Sequence, residues 1–383
     1  MVEMTSRERV ITTLEHSEPD RVPLDIGAGY STSISVEGYE KLKRYLGIDK
    51  KTPPLDSIFR IAKIDEEVMR RLGSDCYPIV CKSPLNWAPP PCAPDEFIDL
   101  FGVTWKRVDY GTGSYMELHR SPLANARIEE LDDYPWPDPL DPGFTDGLAE
   151  EVRTIYEETD YALMADSGFK SFWETGFYLR GYQKLLCDLI RNPEFATALF
   201  SKLLEINLAA TGRFLDEVGR YVQVVRTGDD LASQKDLIMS PAMFRKILKP
   251  FYKKYNDLIR SKTNAKIFFH SCGNIVKLIA ELVETGVDII NPVQVSAMGD
   301  TAVLKANFGE MVSFWGGIDT QHVLPTGSTA DVKAEVRRRI HDLGTGGGFV
   351  LASVHNIQAD VPPQNVVAMA EAVKEFGKYP LAV

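Results

Sequence analysis

The sequence predicts an α/β fold: a (β/α)8 TIM barrel with an N-terminal helical extension and a proline-rich β-hairpin insertion. Three observations carry that reading. About eight short apolar runs alternate with amphipathic helical stretches, as in a parallel sheet covered by helices. Polar, metal-capable residues stand at the ends of those runs, where barrel enzymes hold their chemistry. The turn after the first run, GAGYSTS, lacks the GxGxxG spacing that an open nucleotide-binding sheet carries there. The 383 residues are expected to form one domain, 1–383, because α/β barrels reach about 250 residues and more as single units.

Each element has its own signal. The stretch up to about residue 20 reads as a helix, capped by Thr5 or Ser6, with Val10, Ile11 and Leu14 as its apolar stripe. VPLDIGAGYSTS follows as a strand that opens into a loop. Residues 83–145 differ, because SPLNWAPPPCAPDEF and DDYPWPDPLDPGF are too rich in proline for long regular elements. Between them, FGVTWKRVDYGTGSYMELHRSPL alternates aromatic and β-branched residues around Gly111 and Gly113, a hairpin pattern. As a βα-loop insertion this excursion is expected over the barrel mouth, as a partial lid. From about residue 160 the runs YALMAD, YVQVVRTGDD, AKIFFHSCG, VDIINPVQ, MVSFWGGID and GGGFVLASVHN read as strands. The stretches between them, and the closing QNVVAMAEAVKEFG, have helical period.

Composition narrows the function. The net charge of -11, from 43 Lys+Arg against 54 Asp+Glu, disfavours nucleic acid and anionic membranes as partners. No apolar run reaches the ~20 residues of a membrane span, and the charged N-terminal stretch has no apolar core of a signal peptide. The five cysteines are scattered, which fits reduced thiols in a cytoplasmic protein. A homodimer is compatible with an acidic barrel of this size.

The strand ends carry Asp25, Asp166, Asp229 with Asp230, His270 with Cys272, Asn291 with Gln294, Asp319 with Gln321, and His355 with Asn356. A single Asp or Asn there needs no function, since strands stop where polarity begins. The triplet His270-Ser271-Cys272 is sharper, because side chains two apart at a strand end can point the same way. Imidazole nitrogen and thiolate sulfur together suit Zn²⁺, and Gly273 lets the backbone turn close to an ion. His355, at a later strand end, is the candidate third ligand. Three protein ligands with one open position is the catalytic arrangement. The plain alternative is a buried Cys packed beside a hydrogen-bonded His. Trp173 and Tyr178, with Phe172, Phe177 and Trp315, either line an apolar cavity or pack the core. Arg180 and Arg226 are the best anion partners, yet one falls within a helix and the other before a strand end.

Around these residues the sequence resembles the uroporphyrinogen decarboxylase superfamily. The likeness is densest in ERVITTLEHSEPDRVPL, TGDDLASQKDLIMSP, FFHSCGNIVKLIAELVETGVDIINPVQ, and from FWGGIDTQHVLP to GGGFVLASVHNIQADVPPQNVVAMAEA. It implies a (β/α)8 barrel with its cleft at the strand C-termini. The superfamily holds two chemistries. Its decarboxylases carry an arginine-rich loop after the first strand and an aspartate after the second. Here those places read DIGAGYSTS and CYPIVCK, with neither. The second branch, the cobamide-dependent methyltransferases, is the nearer likeness. It includes methylcobalamin:coenzyme M methyltransferase and corrinoid-dependent O-demethylase methyltransferases. Their zinc site is similar to His270 and Cys272 plus a later Cys, where this chain has His355.

The resemblance therefore implies a zinc-dependent methyltransferase that moves a methyl group between a small substrate and a corrinoid protein. Zn²⁺ is expected on His270, Cys272 and His355. The corrinoid, as methylcobalamin, is expected on a partner protein, because no DxHxxG motif is present. Asp229 is expected to orient substrate or act as general acid. Trp173, Tyr178, Gln234, Asn291, Gln321 and Asn356 are the expected substrate contacts. The competing reading is a cofactor-independent decarboxylase of a uroporphyrinogen-like or smaller acid. A silent subunit that only binds a partner is a third.

Overall fold

The computed structural model describes residues 3–56, 58–109, 111 and 114–381. A short ribbon, β1 (Pro54–Asp56) and β2 (Ile61–Ala62), precedes the first wall strand, β3 (Cys76–Val80). The excursion supplies β4 (Glu96–Ile98), β5 (Thr104–Asp109) and β6 (Ser114–Arg120), an antiparallel sheet. The wall then continues with β7 (Ala162–Asp166), β8 (Val224–Gly228), β9 (Lys266–His270), β10 (Ile289–Asn291), β11 (Ser313–Ile318) and β12 (Phe349–Ser353).

The wall is parallel, in the order β12-β11-β10-β9-β8-β7-β3. Residues 22–26 close it into a barrel. Asp25 N–H donates to Leu351 O and Leu351 N–H to Pro23 O, both at 2.9 Å, while Asp75 N–H reaches Leu24 O at 2.7 Å across the other seam. Asp75 secures that seam, because its buried carboxylate holds Arg9 at 2.6 Å and Arg21 at 2.7 Å. The first run thus stands where the pattern predicts a strand, paired by isolated bridges rather than a full ladder.

Every residue of β7, β8 and β12 is buried. A barrel strand faces side chains on one side and helices on the other, so its run is continuously apolar rather than alternating. The barrel interior is filled by Met164, Val224, Phe268, Ile289, Trp315 and Val350, among others. Alternation places the residue two further along on the same face. Asp166, Arg226, His270 and Asn291 therefore form the next layer, at the mouth. Val10 and Leu14 of the first helix belong to the same interior cluster and plug its opposite end.

That first helix runs Ser6–Leu14, with Thr5 and Glu8 in a capping box. It is shorter than the sequence pattern, ending just before His16, whose φ is 54°. The stretch after β7 is two helices, Trp173–Arg180 and Tyr182–Arg191, rather than one. Gly181, at φ 88°, breaks it. Helices Val36–Leu46 and Glu66–Leu72 have no counterpart in the sequence reading.

The excursion is a three-stranded sheet rather than a bare hairpin, and Gly113 lies outside the described residues. Its ends are tied by Asp141, whose carboxylate accepts from Leu85 N and Asn86 N at 2.7 and 2.8 Å. It packs on the C-terminal side of the barrel. Trp105 meets Tyr178 edge-on at 4.8 Å, and Phe144 meets Phe169 at 5.1 Å. No helix among the described residues is long and apolar enough to cross a membrane.

Candidate metal centre

Loops after β8, β9 and β10 are stitched together, and that stitching builds the site. Ser271 N–H donates to Asn291 O at 2.8 Å, and Asn274 N–H to Ser233 O at 2.9 Å. Cys272 N–H donates to Asp230 Oδ1 and Gly273 N–H to Gln294 Oε1, both at 2.7 Å. At Gly273 the φ is +89°, and a Cβ would stand 2.5 Å from Ser233 O. Only glycine lets the chain turn there behind Cys272.

His270, Cys272 and His355 converge. One ligand atom from each lies within 4.8 Å of the others, and His270 Nε2 stands 3.6 Å from Cys272 Sγ. The His270 and His355 rings are 5.8 Å apart, centre to centre. Bonds of about 2.1 Å to nitrogen and 2.3 Å to sulfur require ligand atoms nearer than 4.8 Å, so the widest gap must narrow around an ion.

His270 is preset for that role. Asn291 Nδ2 donates to Trp315 O at 3.1 Å, which fixes the amide with its oxygen toward the imidazole. Oδ1 then accepts from His270 Nδ1–H at 2.6 Å. The Nε2 lone pair is left facing Cys272. This is how an outer hydrogen bond orients a metal-binding His. Burial, and then Arg226, holds His270 well below the ordinary imidazole range. The surrounding protein, and then Arg226, push His355 down to about 4, although its ring opens to the cleft. Both imidazoles are therefore neutral at pH 7, as ligation requires. Burial raises the Cys272 thiol well above its usual value, and Asp230 and Glu174 add to that. A bound divalent cation reverses this last effect, because a coordinating thiol is deprotonated. The donor set fits Zn²⁺: two neutral nitrogens, one sulfur, and a cleft on the open side.

That cleft is a cavity of about 310 Å³, lined by Gln234, Cys272, Gln294, Gln321 and His355 among others. A larger hollow, about 610 Å³, lies at the opposite end of the barrel between Leu14, Arg220 and Lys266. None of the strand-end donors lines it.

Several expected site residues stand elsewhere. Asp229 has no exposure. Its carboxylate accepts from Phe172 N at 3.0 Å, Glu174 N at 2.9 Å, Tyr252 Oη at 2.7 Å, and Ser171 Oγ. With its lone pairs used, it anchors the start of helix Trp173–Arg180 and cannot serve as the cleft's acid. Its neighbour Asp230 is partly exposed and stands 3.9 Å from His270 Nε2. Trp173 is fully buried against Phe177, at 4.3 Å, and Phe200, so it is core and not a substrate contact. Asn291, with no exposure, holds His270 rather than substrate. Asn356 is buried beside His355 with its Oδ1 unpartnered. Arg180 is committed to Asp188, at 2.6 Å, and to Leu123 O and Ala126 O. Gln234 and Gln321 do line the cleft, and Tyr178 contacts Glu174 Oε1 at 3.4 Å.

Glu174 is the residue that the pattern hid. It sits in the first turn of a helix, where an acid is ordinarily a dipole partner. Burial, then Asp230 and Asp229, raise its carboxyl well above the usual range. The sequence signal was confined to a single acid in the aromatic stretch FWETGF.

Comparison with known proteins fits this architecture. The family model described as uroporphyrinogen decarboxylase (URO-D) matches residues 94–376, most of the chain. The chain belongs to the uroporphyrinogen decarboxylase family. Curated members of this family are distant from it. The uroporphyrinogen decarboxylase of Pseudomonas aeruginosa (strain LESB58) is 26% identical over 282 residues, covering 70% of this chain and 74% of that protein. That of Legionella pneumophila (strain Lens) is 27% identical over 237 residues, covering 59% of this chain. The chain spans 63% of the Legionella protein's length. Among solved structures, a methyltransferase from Methanosarcina mazei superposes with a TM-score of 0.66 at 19% identity, covering 98% of this chain and 99% of that one. The likeness supports the TIM-barrel fold of this uroporphyrinogen decarboxylase family member.

Proposed function

We propose that the protein is a zinc-dependent methyltransferase exchanging a methyl group between a small substrate and a corrinoid carried by a partner protein. One observation carries the reading: three donors suited to Zn²⁺, from two different strand ends, meet at a cleft with the fourth side open. Bound there, Zn²⁺ would supply Lewis acidity toward a substrate heteroatom. His270, Cys272 and His355 are the residues that would hold it. Asn291 keeps the His270 proton on Nδ1, so Nε2 remains a donor. Asp230 and Glu174, near enough to act on the Cys272 thiol, are carboxyls able to take or return a proton, both raised by burial. Gln234 and Gln321 offer amides to polar substrate groups, and Gln321 is steadied by Ser296 Oγ at 2.9 Å.

Decarboxylation is the competing reading, favoured by the curated relatives. Two places count against it. The loop 27–33 has no arginine to receive several carboxylates, and Cys81 occupies the strand end where those enzymes place an aspartate. Purified protein is expected to hold close to one zinc per chain. Mixed with reduced corrinoid protein and methoxylated aromatics, methylamines or methyl thioethers, it is expected to give the methyl-cobalt absorbance change. No change with any donor or thiol acceptor, together with carbon dioxide release from a carboxylated substrate, would reverse the reading.

A further inference from the structure

The loop that lacks arginine covers two cations supplied from elsewhere. Arg226 lies inside β8, and alternation with the interior residue Val224 turns it inward at the mouth. Its guanidinium Nη1 donates to Asp166 Oδ2 at 2.9 Å and Nη2 to Ser31 Oγ at 3.4 Å. Its Nε–H has no partner, although the residue is only 7% exposed. Lys170 Nζ shares the same carboxylate, 2.6 and 2.5 Å from its two oxygens. Above them lies Tyr30, its ring 4.9 Å from Lys170 Nζ and 5.8 Å from Arg226 Cζ. Asp166 offsets one of the two positive charges and leaves the other. The other acids near the pair are Asp56, Glu174 and Asp230, whose carboxyls burial pushes toward the neutral form.

An unpaired buried N–H beside surplus positive charge is unusual, because buried donors are nearly always satisfied. The group that completes such a site is an anion with lone pairs in a plane or fork. Arg226 on β8 and His270 on the paired strand β9 stand in the same layer at the barrel mouth, so the two sites share one mouth. We infer that Arg226, backed by Lys170, anchors the single carboxylate of a small substrate whose other end meets His270, Cys272 and His355. The position of that other end rests on the methyl-transfer reading; the anion anchor does not. One surplus charge suits a monoanion. A porphyrinogen with several acids does not match it.

Calorimetric binding to the zinc-loaded protein tests this with matched probes: methoxyacetate against methoxyacetamide, 3-(methylthio)propionate against 3-(methylthio)propanamide, and 2-methoxybenzoate against 2-methoxybenzamide. At least one carboxylate is expected to bind about tenfold or more tighter than its amide. That preference disappears in Arg226→Gln and returns in Arg226→Lys, with zinc content unchanged. Should Arg226→Gln fail to fold, the preference is expected to shrink severalfold in Lys170→Gln instead. No binding by any probe, equal binding within every pair, or an undiminished preference in these glutamine variants overturns the anchor. Absence of zinc or of methyl transfer, with the carboxylate preference intact, overturns the methyl-transfer reading and leaves the anchor standing.

Discussion

Asp229 and Asp230 are sequence neighbours at the end of β8, yet the two sides of the mouth they serve use polar groups in opposite ways. Around Asp229 every lone pair is engaged, by a tyrosine, a serine and two backbone N–H groups. Around His270 and Cys272, one strand further on, the protein engages only the outer atoms. Asn291 takes Nδ1 of the imidazole, Asp230 takes the backbone N–H of Cys272, and the ligand atoms Nε2 and Sγ face each other across 3.6 Å. A saturated group builds structure, and an oriented group with a free lone pair can do chemistry.

The comparison breaks first if Asp229 proves dispensable. Asp229→Ala strands a buried tyrosine hydroxyl and two backbone donors at a helix start, so a loss of about 3–5 kcal/mol is expected. Urea unfolding followed by circular dichroism measures it, and a change below about 1 kcal/mol would remove the structural role assigned here.

Asp25 sharpens the structural side through pH. It is fully buried, accepts from Trp315 Nε1 and Ala28 N, both at 2.9 Å, and burial raises its carboxyl to about 6. A raised acid binds its proton more tightly folded than unfolded. Its contribution is therefore full below about pH 4 and is lost as pH rises through about 6, by at most about 3 kcal/mol. Asp25→Asn is expected to flatten that part of the stability profile between pH 4 and 7. An unchanged slope would show that Asp25 is not the group responsible.

On the open side, Cys272→Ser is expected to lower zinc affinity at least about a hundredfold while shifting stability by less than about 1 kcal/mol. Full zinc content in this variant would dismiss the site. Asn291→Ala is the finer test. It releases the His270 tautomer without removing a ligand, so a ten- to hundredfold weaker hold on zinc is expected. Chelator competition reads it, and wild-type affinity would reduce Asn291 to packing.

Much of the fold was legible because it follows from local pattern. Runs such as KIFFH and FVLAS are buried on both faces and so read as strands. Thr5 was legible as a cap because its side chain acts on Glu8, three residues on, whereas the break at Gly181 was not read. The ion pairs of Asp75 with Arg9 and Arg21, which secure the seam, were not legible, since the three residues have no local relation. The candidate site divided the same way. His270 and Cys272 stood out because two donors two apart at a strand end share a direction. Asp229 was preferred to Asp230 because adjacent acids look alike until one is turned inward and used.

By itself the sequence determined the alternation of strands and helices, the polar strand ends, the proline-rich excursion, and a donor pair suited to Zn²⁺. Each depends on residues close along the chain, where period and spacing act directly. The tertiary structure decided which polar groups are spent and which are free. It brought His355 beside His270, placed Asn291 behind it, buried Trp173, and left the Arg226 Nε–H unpaired. These outcomes depend on hydrogen-bond partners 21 to more than 50 residues apart along the chain, as with His270–Asn291 and Glu174–Asp229. Closing the barrel brings strand ends together, and that closure selects the partner each polar atom meets.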